Sequence, residues 1–307
     1  MAQAVQAAAR PKFRGNKNLK SKVVTHYPAH LEREYMRITD AYMVLLNKTL
    51  AEYLPTIRKA ITDERAGMRQ DSAYDNFSDY FREILEEFER RCVSFGIRHQ
   101  LERLANLTRK LSIRAWKRVV HKTLGINILE DYYMGEFYRS ALTLWVQKNV
   151  DLMETIPKNT LGRMKTIVEE GYRTGKATSA IGKEIQEAYK IDKRRARFIA
   201  RDQMAKLNAD IAHQQQKDAG VEEYVWSSSG DGRVRDCHKD FDKKKFKWSD
   251  PPENWYDTKS KGRVYVGHYH PMQAPGCRCV ALPVFNLPEL NLPWEGTGIT
   301  DVQVTIT

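Results

Sequence analysis

The stretch Gly220-Val-Glu-Glu-Tyr-Val-Trp-Ser-Ser-Ser-Gly-Asp-Gly232 divides the chain into two kinds of sequence. Before it, apolar residues recur every three or four positions. From Val221 the residues are aromatic and β-branched, and Gly230-Asp231-Gly232 is a turn signal. Immediately upstream, residues 193–217 place Ala196, Ala200, Met204, Leu207 and Ile211 on one helical face. Further back, Leu31, Tyr35, Ile38, Tyr42, Leu45 and Thr49 line one face of a 3.6-residue period. Residues 73–123 repeat the pattern with Phe77, Phe81, Ile84, Phe88, Cys92 and Phe95, then Leu101, Leu104, Leu107 and Leu111. Cys92 falls on that stripe and reads as a core thiol. Turns are expected at Ala66–Ser72 and at Gly125 with Asn127. A break is expected at Pro157, and a helix end between Gly171 and Gly175. Thr178 or Ser179 caps a helix carrying Ile181, Ile185 and Tyr189.

Downstream, Phe246, Trp248, Val264, Tyr265 and Val266 sit in short runs separated by Pro, Asp and Gly. The fold class read from these patterns is α+β: a predominantly extended α-helical N-terminal region followed by a small β-rich C-terminal module. The divisions expected are a basic flexible arm (1–27), a helical domain (28–217), the β-rich module (218–285) and a Pro/Thr-rich tail (286–307). In the tail, Val302-Gln303-Val304-Thr305-Ile306 alternates, as a strand added to a neighbouring sheet edge would, or as an unstructured end.

The chain has 307 residues, of which 41% are hydrophobic and 29% charged, the balance of a soluble globular protein. Its longest apolar run, Ala41–Leu46, is far short of the ~20 residues that cross a bilayer, so no membrane insertion is expected. The N-terminus lacks the basic and apolar regions of a secretory signal. Four cysteines, three of them in the last quarter, do not form a disulfide framework and suit a reducing compartment.

The net charge of +12 favours a polyanionic partner, most simply nucleic acid. Two clusters are candidates. Residues 1–25 carry Arg10, Lys12, Arg14, Lys17, Lys20 and Lys22 and no acid. Lys193, Arg194, Arg195 and Arg197 crowd the start of a helix, where the macrodipole prefers acids. Each cluster reads either as a solvated surface or as a phosphate contact.

Metal-ligand character is confined to Cys237, His238, His268, His270, Cys277 and Cys279. Three readings stand: a structural zinc with four N or S ligands, reduced cysteines with solvent-facing histidines, or a catalytic metal. Asp236 and Asp240 beside His238 raise the alternative of a metal-dependent nuclease or DNA-processing protein. Phosphate-loop, nucleophile-elbow and His-Glu-x-x-His motifs are absent, and no catalytic residue is expected. Cys277 and Cys279, two apart in an extended segment, should face one side toward His238. Arg278 then faces the other side, toward Asp231 or Asp236.

Trp226, Asp231, Arg233, Arg235, His238, Cys277, Arg278 and Cys279, with Pro283 after them, resemble the pattern of the phage Mu F-like head-morphogenesis family. Upstream, Asn149 to Pro157, Gly171-x-x-x-Gly175, Arg197-Phe-Ile-Ala-Arg201 and Gly220-Val221 recur there in the same order. The resemblance covers roughly 140–285 and departs at Asp202-Gln203, where the family often shows Thr-Glu. It implies a non-enzymatic minor head (minor capsid) protein of a tailed bacteriophage, present in few copies, bound to the portal protein inside the capsid near the portal vertex. Such a protein contacts double-stranded DNA without reading bases, meets scaffold or major capsid protein during assembly in the host cytoplasm, and serves genome delivery. The stretch after Pro283 is too short for the toxin or ADP-ribosyltransferase domain fused to some relatives, so none is expected.

Overall fold

The computed structural model describes residues 2–25, 27–67 and 70–296. The fold is α+β, with helix making up 66% of it and two small antiparallel sheets. In chain order the helices are α1 (Ala2–Phe13), α2 (Ala29–Gly67), α3 (Gln70–Phe95), α4 (Ile97–Leu124), α5 (Glu136–Arg173), α6 (Thr178–Asp218) and α7 (Asp236–Phe241). The strands are β1 (Asn18–Lys20), β2 (Glu223–Ser227), β3 (Lys245–Lys247), β4 (Glu253–Thr258), β5 (Gly262–His268) and β6 (Val280–Asn286). The chain divides into two compact units.

One unit, His30–Leu104 with Thr143–Gln203, is built of helices and turns among its described residues. Its core is the stripe the periodicity predicts: Leu31, Tyr35, Tyr42, Phe77, Phe81, Ile84 and Phe88 are buried. Buried Asn149 is satisfied on both sides. Its Oδ1 accepts from Tyr35 Oη at 2.8 Å, and its Nδ2 donates to the Trp145 carbonyl at 2.8 Å. A buried amide without these partners would cost a few kcal/mol. The expected break at Pro157 does not occur, because α5 runs through it. The proline removes one N–H, but buried Met153, Ile156 and Leu161 around it keep the helix packed. The turn expected at Ala66–Ser72 falls where α2 ends and α3 begins, and Met68 and Arg69 lie outside the described residues.

The other unit takes in the described residues of Met1–Ala29, Ala105–Leu142 and Met204–Thr307. Its four-stranded sheet has the order β1-β6-β2-β3, every pair antiparallel. The β2–β6 register pairs Tyr224 with Pro283, Val225 with Leu282 and Trp226 with Ala281. Side-chain alternation then sorts two cores. Val225, Val280, Leu282 and Val284 pack with Ala205 and Ala209 of α6. Tyr224, Trp226, Cys277 and Cys279 form the second cluster. Pro283 is accommodated in a central strand because its ring nitrogen faces the end of short β1, where Ser21 N donates to the Pro283 carbonyl at 2.9 Å.

Gly220 makes the switch from helix to strand. Val221 N bonds the Gln216 carbonyl and Gly220 N the Lys217 carbonyl, closing α6 with Gly220 in the left-handed region at φ +72°. A Cβ there would lie 1.9 Å from the Glu289 carbonyl oxygen.

Three expected divisions are corrected. The helical domain expected at 28–217 is divided, because residues 105–142 and 204–217 belong to the unit that holds the sheet. The described residues of 1–27 are not a flexible arm: α1 buries Val5, Ala9 and Phe13, and β1 pairs with β6. The basic residues had masked an i, i+4, i+8 apolar stripe of only three members. Nor do residues 287–296 form a free tail. Leu290 and Leu292 are buried, Asn291 N donates to the Ala219 carbonyl, and Trp294 bridges Ile128. The alternation at Val302–Ile306 lies outside the described residues. Leu107 falls off the buried face of α4, which turns Leu101, Leu104, Ala105 and Thr108 inward instead.

Truncating Phe13 tests the packed N-terminus. Phe13→Ala should lower the unfolding free energy by about 3 kcal/mol, as for other buried Phe side chains. A change within about 0.5 kcal/mol in urea titration is what a loose arm would give.

Candidate functional site

The second core cluster of the sheet unit holds the candidate centre. The loop after Trp226 leads into α7, whose first turn carries Cys237 and His238, both buried. From the other side, a turn through Pro275 and Gly276 delivers Cys277 and Cys279. Gly276 adopts φ +68°, and Cys277 N bonds the Ala274 carbonyl. Both thiols face His238, as the alternation of an extended segment requires. Cys277 Sγ lies 3.6 Å and Cys279 Sγ 3.5 Å from His238 Nδ1. The donor atoms of these three residues lie within 4.8 Å of one another.

The ring of His238 is held in one orientation. Its Nε2 is 2.7 Å from Asn254 Oδ1. Asn254, fully buried in β4, spends its Nδ2 on the carbonyls of Pro252 and Tyr269 at 2.8 and 3.2 Å. The amide oxygen is therefore the acceptor, Nε2 carries the proton, and Nδ1 is turned to the sulfurs. Met272 N and Cys279 N each donate to Cys277 Sγ at 3.4 Å. Burial opposes protonation of His238, but its contacts with Cys237, Cys277 and Asn254 outweigh it and push the pKa up to about 9. Cys277 is held well below the ordinary thiol value by hydrogen bonding from Cys279 and His238, against the cost of burial. Cys279, which donates to Cys277 and is also buried, is raised.

The charged residues of the motif tie the two loops together. Arg278 Nη2 contacts Asp231 Oδ2 on the side away from the thiols, and Arg233 N donates to Asp231 Oδ1 at 3.0 Å. Arg235 Nη2 donates to the Pro275 carbonyl, beside the turn that carries Cys277. Trp226 packs on the His238 ring at 4.9 Å between centroids, and Phe241 and Phe246 extend the aromatic wall.

The other candidates fall elsewhere. His268 is exposed on the β4–β5 hairpin, its Nδ1 at 2.9 Å from the Pro251 carbonyl. His270 is buried, with Nδ1 at 2.9 Å from Tyr224 Oη and its ring 4.7 Å from Trp248. Cys237 touches His238 but stands outside the three-residue group. Asn254 escaped the sequence reading, because a lone Asn in a Pro-rich link carries no signal until the fold sets it against an imidazole.

Among the basic residues, Arg10, Lys12, Arg14, Lys17, Lys20 and Lys22 are all exposed, now on an ordered helix, turn and strand. Arg197 forms a two-pronged pair with Asp40, Nε to Oδ1 at 2.7 Å, and Lys193 approaches the same carboxylate at 4.0 Å. Half of that second cluster is thus engaged within its own unit, while Arg194 and Arg195 are exposed. The sequence reading missed α4, where eight Lys and Arg residues accompany one acid, Glu102. Lys110, Arg114, Arg118 and Lys122 recur at four-residue spacing and are exposed. The signal was present, hidden by attention to the apolar stripe of the same helix.

His270 yields a pH prediction. Burial first, then the nearby charge of His213, pushes its pKa down to about 4; Tyr224, Trp248 and His213 are the groups that surround it. The unfolded chain takes up this proton below about pH 6.5. Stability from the neutral ring is therefore complete above that value and is lost as pH falls toward 4. Between about pH 7 and about pH 4.5, the wild type should lose on the order of 2 kcal/mol more than His270→Gln. Equal losses in urea titrations would mean an unperturbed ring.

Residues 163–282 match the family described as Phage Mu protein F like protein. A Haemophilus influenzae protein described as uncharacterised is 32% identical over 138 residues, 45% of this chain and 28% of its own length. The chain thus spans little more than a quarter of that relative. No solved structure matches. The match runs from α5 through α6 to β6 and encloses His238, Cys277, Cys279 and the Asp231–Arg278 clamp, so the segment that builds the centre is similar to the phage Mu F-like family.

Proposed function

We propose that this chain is a minor head protein of a tailed bacteriophage, joined to the portal vertex inside the capsid and touching packaged DNA. The observation that carries the reading is the Mu F-like domain, which ties the chain to phage head morphogenesis. Its motif residues are engaged with one another: Asp231, Arg235 and Arg278 clamp loops, and His238, Cys277 and Cys279 are buried. This mutual engagement and burial support a structural role for the motif. No described helix is long and apolar enough to cross a membrane.

The charge of +12 supports the DNA contact. In the sheet unit, Arg10, Lys12 and Lys20 of α1 and β1 and Lys110, Arg114, Arg118 and Lys122 of α4 are exposed, and Lys12 lies against Gly125 just after α4. This surface suits phosphates without base readout, since it offers long flexible cations and no element shaped for a groove. The nuclease alternative has less support. Two thiols and an imidazole without a carboxylate are soft ligands, whereas Mg²⁺ chemistry on phosphodiesters uses oxygen donors.

Coexpression with a portal protein of the same phage should yield a complex that survives gel filtration. Its persistent separation from the portal ring would overturn the portal assignment. For DNA, log affinity should fall linearly with log salt, and the triple change Lys110→Gln, Arg114→Gln, Arg118→Gln should flatten the slope by roughly 0.9 for each phosphate that α4 no longer neutralises. An unchanged slope in filter binding would remove α4 from the interface.

A further inference from the structure

We propose that His238 Nδ1, Cys277 Sγ and Cys279 Sγ bind one soft divalent ion, zinc by the chemistry of the donor set, as a clamp between α7 and β6. The inference is independent of the head-protein reading, since it concerns how the domain is closed and not what it touches.

Distance is the first support. Zn–S bonds of ~2.3 Å and Zn–N bonds of ~2.05 Å at a tetrahedral angle put N and S about 3.55 Å apart. The two N···S separations here are 3.6 and 3.5 Å. Both N···S separations already match those of a bound ion.

Orientation is the second. A histidine that binds through Nδ1 must keep its other proton on Nε2, usually by giving it to an oxygen. Asn254 Oδ1 is that oxygen, at 2.7 Å, and its own amide is locked by the Pro252 and Tyr269 carbonyls. The backbone donors of Met272 and Cys279 to Cys277 Sγ are of the kind that stabilise a metal-bound thiolate.

Chemistry and location supply the third. The group contains two sulfurs, one nitrogen and no carboxylate, which disfavours Mg²⁺ and Ca²⁺ and suits Zn²⁺. His238, Cys277 and Cys279 are 2–3% exposed, walled by Trp226 and Phe241. An ion there joins a six-residue helix to the segment that leads into β6, an inner strand of the four-stranded sheet. It displaces the protons carried by the thiols and by Nδ1, with no change of oxidation state.

The test uses the full chain, reduced and purified without chelator. Elemental analysis should find about one zinc per chain, and zinc titrated into chelator-stripped protein should restore both that stoichiometry and the melting temperature. Cobalt(II) in its place should give a thiolate-to-metal charge-transfer band. Cys277→Ser and Cys279→Ser should each lose most of the zinc and the cobalt band, whereas Cys92→Ser should keep both. Because a serine variant can fail to fold, the stripping and refilling of wild-type protein decides independently. A folded, reduced wild-type protein that neither carries zinc nor raises its melting temperature when zinc is added would overturn the proposal. So would stoichiometric zinc in the folded Cys277→Ser or Cys279→Ser variant.

Discussion

The antiparallel ladder between β2 and β6 is the constraint on which the sheet unit depends. It pairs the strand that follows α6 with a strand near the far end of the described chain, from Glu223 opposite Val284 to Ser227 opposite Val280. Each face of the ladder has its own work. Val225, Leu282 and Val284 pack with Ala205 and Ala209 of α6, and Tyr224, Trp226 and Cys279 form the floor of the Cys/His centre. A slip of one residue would exchange the two sets, setting aliphatic side chains against the imidazole. The register is enforced at both ends. Gly220 lets α6 stop where its Cβ-free backbone meets the Glu289 carbonyl, and the Asp231–Arg278 pair ties the loop after β2 to the start of β6.

Around this ladder the rest of the unit is layered by pairing and burial. β3 extends the β2 side, and β1 brings the N-terminal segment to the β6 side, so the two ends of the described chain are neighbours in one sheet. The segment after β6 returns to the links that follow α6 and α4, where Asn291 meets Ala219, Pro293 meets Leu129 and Trp294 meets Ile128. These links explain why a run rich in Lys and Arg is ordered. Three apolar side chains on one face of α1 suffice once a strand edge supplies backbone partners, and the cations are left on the outside.

Electrostatics divides the basic residues by whether an acid lies beside them. In the helical unit, Asp40 engages Arg197 and Lys193, and Glu32 meets Arg201, so part of that charge serves packing. Such exposed pairs contribute little stability each. Their effect here is to lower the positive field on that surface. The α4 run has few acids near it in sequence, Lys117 with Glu130 being one pair. The net charge of the whole chain therefore concentrates on particular surfaces, a distribution that a sum over the composition does not reveal.

The sequence by itself determined the α+β class, the helical faces of the helical unit, the switch at Gly220 and the convergence of His238, Cys277 and Cys279. Each follows from local rules: a period of 3.6 or of 2, a glycine at a helix end, and side chains two apart in an extended segment. The charged motif residues were likewise legible as a set. Tertiary structure alone decided that His270 turns to Tyr224 while His268 stays on the hairpin surface, that Asn254 orients the imidazole, and that residues 2–20 belong to the sheet unit. These depend on which segments distant in sequence become neighbours, and a ladder between residues 18–20 and 284–286 leaves no periodic trace in either. Pro157 makes the same point in reverse: a strong local helix breaker is overridden when its neighbours are buried on a packed face.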